Sequence, residues 1–96
     1  MKKLFVILLI IAPFVKTLAQ TDFRQLSFEE AISAAKVENK LVFIDFYTDW
    51  CGPCRTMSRQ VFPQKSVGDY LNNKFVCIKL NAEKEGVNLA KRYGIK

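Results

Sequence analysis

Two cysteines separated by a glycine and a proline, Cys51 and Cys54, sit in the stretch YTDWCGPCRTM running from Tyr47 to Met57. Cysteines at this spacing serve as a redox pair, as half of a metal site, as a haem anchor or as a structural staple, and the surrounding letters separate these uses. Tetrahedral zinc needs four ligands, usually a second such pair or added histidines. The chain has no histidine and one other cysteine, Cys77, so no metal ligand set is expected. Covalent haem attachment needs a histidine directly after the second cysteine, where this chain has Arg55. Hydrolytic chemistry at a cysteine needs an adjacent base such as histidine. A permanent structural disulfide remains open, because exported proteins carry them, although so short a loop constrains little of the unfolded chain. A redox pair is the remaining use, and it depends on where the pair sits.

The elements around it are legible. Leu41 to Tyr47, LVFIDFY, is β-branched and aromatic with one acid, the composition of a central strand covered on both faces. From Cys51 the pattern turns helical, with Cys54, Met57 and Val61 on one side, until Pro63 interrupts it. Ser66 is placed to cap a second short helix that buries Val67, Tyr70 and Leu71, and FVCIKL, Phe75 to Leu80, reads as a second strand. Strand, helical crossover and strand make a βαβ unit, which predicts two parallel strands. Ser27-Phe28-Glu29-Glu30 is a capping box, with Leu26 and Ala31 positioned as a hydrophobic staple. It opens a helix that ends at Asn39-Lys40. A last helix spans Gly86 to Tyr93, with Val87, Leu89, Ala90 and Tyr93 available to pack and Gly94 as its C-terminal stop.

In such a unit the loop after a strand's carboxyl end carries the chemistry, and that loop holds the cysteines. A helix N-terminus offers unpaired N–H groups and about half a positive charge, which stabilise a thiolate and lower its pKa from about 8.5. Cys51 is the expected nucleophile. A spacing of three brings Cys54 to the same side, close enough to close a disulfide and release a partner. Pro53 fixes the first turn without losing a needed N–H, and Gly52 allows close backbone approach.

The first 19 residues read differently. Met1, Lys2 and Lys3 are followed by an unbroken apolar run from Leu4 to Ala12, and Thr17-Leu18-Ala19 supplies small residues where a signal peptidase cuts. The apolar stretch is too short to span a bilayer, which takes about 20 residues. The reading is a cleaved secretory signal over residues 1–19 and one domain over 20–96, giving a periplasmic or otherwise extracellular protein. Losing Lys2, Lys3 and Lys16 lowers the net charge from +6 to +3. The remaining basic residues are interspersed with acids, without a basic run or interleaved aromatics, so nucleic-acid binding has no support.

Asp45-Phe46-Tyr47 followed by Trp50-Cys51-Gly52-Pro53-Cys54 resembles the active-site stretch of thioredoxins. Lys79-Leu80-Asn81 and Leu89-Ala90-Lys91-Arg92-Tyr93-Gly94-Ile95 resemble the strand and helix that follow it. The segment between is more similar to the secreted branch that includes the soluble reductase domain of membrane electron transporters. The resemblance runs from about Ser27 to Lys96 and implies an α/β thioredoxin-like fold. It also implies reduction of protein disulfides by dithiol exchange, no bound cofactor, and a membrane electron donor that recharges the pair. By resemblance Asp45 lies behind Cys54 and moves its proton, and Lys79 is the lysine near that acid. A carboxylate buried without a partner would have its pKa raised; a solvent-facing Asp45 and an ordinary exposed Lys79 are the alternatives. Trp50 shields the pair and meets the partner, or simply packs. Cys77, in a strand expected to be buried, reads as core.

Thioredoxins continue past the point matched by Gly94-Ile95-Lys96 with a loop whose cis-proline faces the cysteines, then a hairpin and a last helix. None of these appears in the 96 residues, so the resemblance implies a chain cut before that loop. Arg59 also stands where many thioredoxins have a helix proline. Gly-Pro between the cysteines resembles reducing thioredoxins more than oxidants. A disulfide oxidant or isomerase on the same fold, and an inactive fragment or binding module with a permanent disulfide, are the rival readings.

Overall fold

A computed structural model describes residues 20–95, so the expected leader over residues 1–19 lies outside the described residues. The elements run α1 (Phe28–Glu38), β1 (Leu41–Tyr47), α2 (Gly52–Thr56), a π-helical segment (Met57–Val61), α3 (Lys65–Lys74), β2 (Phe75–Asn81) and α4 (Val87–Arg92). β1 and β2 pair in parallel, with Leu41 opposite Phe75 and Tyr47 opposite Asn81. The apolar runs thus place both strands in one register, and both carboxyl ends emerge on the side that carries the cysteines.

Local sequence accounts for α1 in full. Ser27 accepts from the Glu30 N–H at 3.1 Å and Glu30 accepts from the Ser27 N–H at 2.9 Å, closing the capping box. Asn39 ends the helix in the left-handed conformation, at φ 59°, which asparagine tolerates better than most residues. The face carrying Ala31 and Ala35 packs on Val76, Ile78 and Leu80 of β2, with Leu26 against the same cluster. On the sheet's other side Phe62, Leu71 and Cys77 form a second cluster, joined by Phe23, Phe43 and Phe75.

Several side chains depart from the sequence reading. β2, not β1, is the strand buried on both faces: Val76, Cys77 and Ile78 are at most 1% exposed, whereas Leu41 is exposed and the rest of β1 is half-buried. α1 covers one face of β2, and Phe62 and Leu71 the other, while its outer edge is closed by Phe23, which bridges to Cys77 in parallel, and by the Arg24 N–H, which donates to the Cys77 carbonyl at 2.9 Å. The helix after Cys54 does not continue as an α-helix, because the Phe62 N–H donates to the Met57 carbonyl five residues back, widening it into a π turn. Met57 is consequently exposed. Gln64 rather than Ser66 precedes the first residue of α3, with no side-chain cap. Tyr70 and Tyr93 point outward, while Leu71 and Ala90 are buried. Gly94 takes φ 70° one residue after the C-cap of α4, the conformation in which glycine stops a helix.

Candidate functional site

Cys51 lies between the carboxyl end of β1 and the start of α2, where it is the N-cap residue. The N–H of Cys54 points at its sulfur, at 3.1 Å. Pro53 occupies the first turn, where its missing N–H costs nothing, and no acidic residue stands in that turn. A sulfur anion at position 51 would therefore meet a hydrogen-bond donor and the positive end of a helical segment that continues to Val61. Cys51 and Cys54 are joined as a disulfide, their Cα atoms 5.3 Å apart. The pair is present in its oxidised form.

A groove of about 700 Å3 runs beside the disulfide, lined on the apolar side by Phe46, Trp50, Val87 and Ile95. Trp50 is 70% exposed, and its indole N–H donates to the carboxylate of Glu83 at 3.1 Å. It stands at the rim and does not enter the core. Asn81, 3% exposed, ties the turn after β2 to the loop before Cys51: its side-chain amide donates to Asp49 at 3.2 Å and its carbonyl oxygen Oδ1 accepts from the Glu83 N–H at 2.9 Å. Glu85 caps that turn by accepting from the Asn81 N–H at 2.8 Å, an interaction that holds its carboxyl below the usual range. Gly86 is required there, since a Cβ would meet the Asn81 carbonyl oxygen and the Leu80 Cβ at 2.9 Å.

Behind the pair, Asp45 is mostly buried and is not unpaired. Lys79 meets it at 2.8 Å, with side-chain exposures of 32% for the lysine and 14% for the acid. Parallel pairing places Asp45 directly opposite Lys79, which is why two residues 34 apart in sequence meet. The ammonium also donates to the Ser58 hydroxyl at 2.8 Å and lies 4.6 Å from the centre of the Phe23 ring. Asp45 makes no direct hydrogen bond to Cys54 among the described residues; its partner Lys79 lines a cavity of about 270 Å3 together with Cys54 and Ser58.

Cys51, Cys54, Trp50, Gly52 and Pro53 thus converge on the groove, and Asp45 with Lys79 forms a second layer. The sequence reading missed Asn81, Glu83 and Ser58. A buried asparagine ending an apolar strand was a usable signal for the first, but nothing local marks the other two.

The thioredoxin-like family profile matches residues 22–94. The chain belongs to the thioredoxin-like family. It is 36% identical over 69 residues to Thioredoxin-1 of Drosophila yakuba, covering 72% of this chain and 59% of that protein. Over 46 residues it is 39% identical to the thiol:disulfide interchange protein DsbD of Pseudoalteromonas atlantica, covering 48% of this chain but 8% of that much longer protein. Among solved structures it is similar to a solution structure of a candidate disulphide-isomerase from Bacteroides thetaiotaomicron. That match has a TM-score of 0.69 and 49% identity, covering 82% of this chain and 66% of the other. The chain therefore spans less than two thirds of the length of each of these relatives.

Proposed function

We propose that this thioredoxin-like protein is a thiol:disulfide oxidoreductase that reduces protein disulfides in an extracytoplasmic compartment. The observation that carries the reading is the Cys51–Cys54 disulfide at a helix N-terminus, with the Cys54 N–H aimed at the Cys51 sulfur. In the reduced pair Cys51 is the thiolate. It attacks one sulfur of a substrate disulfide, forming a mixed disulfide and releasing the other substrate sulfur, which takes up a proton. Cys54 then loses its proton and attacks the Cys51 sulfur, so the mixed disulfide breaks and the second substrate sulfur leaves as a thiol. Asp45, acting through its partner Lys79, which lines a cavity with Cys54, assists departure of the Cys54 proton. A dithiol donor must then return two electrons and two protons to the pair. The similarity to an interchange protein named DsbD supports a membrane-bound source for them, and the signal-like residues 1–19 support export.

The pair's reduction potential tests the direction. A value near about −270 mV is expected, and one near about −120 mV would reverse the assignment. Trapping tests the chemistry: Cys54→Ser protein should accumulate mixed disulfides through Cys51, and none would form if the disulfide were merely structural. The likeness to the B. thetaiotaomicron candidate isomerase favours disulfide isomerisation as a second reading, which reactivation of a scrambled disulfide protein measures directly.

A further inference from the structure

Lys79 has two polar partners, and the mechanism above uses one of them. The second is Ser58, whose hydroxyl oxygen accepts from the ammonium at 2.8 Å. Ser58 sits in the π-helical segment that directly follows α2. Widened turns of this kind recur at functional sites, where they redirect a side chain. Together Ser58, Lys79 and Cys54 wall the same small cavity, with Tyr47 and Thr48 opposite. The Thr48 hydroxyl is buried and has no hydrogen-bond partner among the described residues.

We propose that Ser58 is a positioning residue for the resolving half of the exchange: it holds the Lys79 ammonium against the cavity that Cys54 lines. The inference rests on the exchange reaction proposed above. A lysine side chain is long and flexible, and one carboxylate contact leaves its stem several rotamers. Adding the Ser58 acceptor fixes the cation between Asp45 and the cavity. The fixed cation favours the thiolate of Cys54 during its attack on the mixed disulfide, and it offsets the negative charge of Asp45, which opposes that thiolate. In that step the Cys54–Cys51 bond forms, the bond to the substrate sulfur breaks, and the proton lost by Cys54 ends on the departing substrate thiol.

The charged groups facing Cys54 come from several elements. Arg55 and Arg59 lie on its own helical segment, Tyr47 on β1, Lys79 on β2 with Asp45 of β1 paired to it, and Glu83 and Lys91 across the groove. Only Lys79 is held by Ser58, so removing the serine frees one cation and strengthens the field of one acid. Both changes disfavour the thiolate, and the Cys54 titration moves up.

The decisive measurement is the titration of Cys54 by NMR of cysteine-labelled protein in a Cys51→Ala background, which needs no turnover. Ser58→Ala should raise the Cys54 midpoint by about half a unit or more, and Ser58→Thr, which keeps the hydroxyl, should restore it. In a Lys79→Met background the same Ser58→Ala change should add nothing. The proposal is overturned if the midpoint does not move, or if it moves equally without Lys79. Disulfide reduction by the unmutated chain is scored separately: its absence together with the expected shift rejects the oxidoreductase reading and leaves the Ser58 linkage standing.

Discussion

At the scale of single residues, the three cysteines of this chain have three environments and so three chemistries. Cys51 receives an N–H at a helix start, Cys54 is half-buried one turn on, and Cys77 is 1% exposed beneath Phe62 and Leu71. Burial pushes the Cys77 thiol above its usual pKa, with the charge of Asp22 adding to the effect. Because the thiolate is the reactive form, the reduced, folded protein should release two equivalents quickly to a disulfide reagent. The third should react slower by on the order of 100-fold, through opening of the fold. Counting thiols with and without denaturant checks this; three equally fast equivalents would contradict the burial. The cysteine spacing made the active pair legible, and the apolar run around Cys77 marked it as core, as its burial in β2 bears out.

At the scale of elements, the N-terminal segment is held to α1 by an ion pair as well as to β2 by the Phe23 bridge. Arg24 donates two hydrogen bonds to Glu38 at the end of α1, both at 2.7 Å. The guanidinium holds the Glu38 carboxyl down at about 2, from an ordinary 4.5. A depressed acid contributes stability that is present above its unfolded pKa and lost as the pH falls through the folded value. The contribution is therefore full at neutral pH and disappears between 4.5 and about 2. Both side chains are about one-third exposed, so water and salt reduce it. Glu38→Gln should lower the melting temperature slightly at pH 7, and the difference from the parent should shrink steadily below pH 4.5. Thermal melts across that range measure it; a difference independent of pH would exclude the ion pair as its source. Neither Arg24 nor Glu38 stands out in the sequence, because their meeting depends on how the segment before α1 folds back.

At the scale of the whole molecule, Gln20 and Thr21, the first described residues, are both tied to the domain. The Gln20 carbonyl accepts from the Asn72 side chain at 2.9 Å, and the Thr21 N–H donates to the Phe62 carbonyl at 2.9 Å. A cut after Ala19 would leave both contacts intact. Protein recovered from the exported fraction should therefore have Gln20 as its first residue, as intact-mass measurement would show; a retained Met1 would refute cleavage. The matched part of this chain spans 59% of Thioredoxin-1 and 66% of the solved relative, and the groove beside the disulfide is walled by Trp50, Val87 and Ile95.

The sequence by itself determined the elements and the reactive pair. A capping box, a continuous β-branched and aromatic apolar run and a Cys-Gly-Pro-Cys string are local signals, and each acts on residues within a few positions of itself. Tertiary structure alone decided that β2 is the fully buried strand and that Ser58 meets Lys79, and it turned the Asp45–Lys79 proximity implied by the resemblance into a direct ion pair. These contacts join residues 21 to 54 positions apart. They are set by parallel register, by the return of the Phe23 segment and by one widened helical turn, none of which the adjacent letters encode.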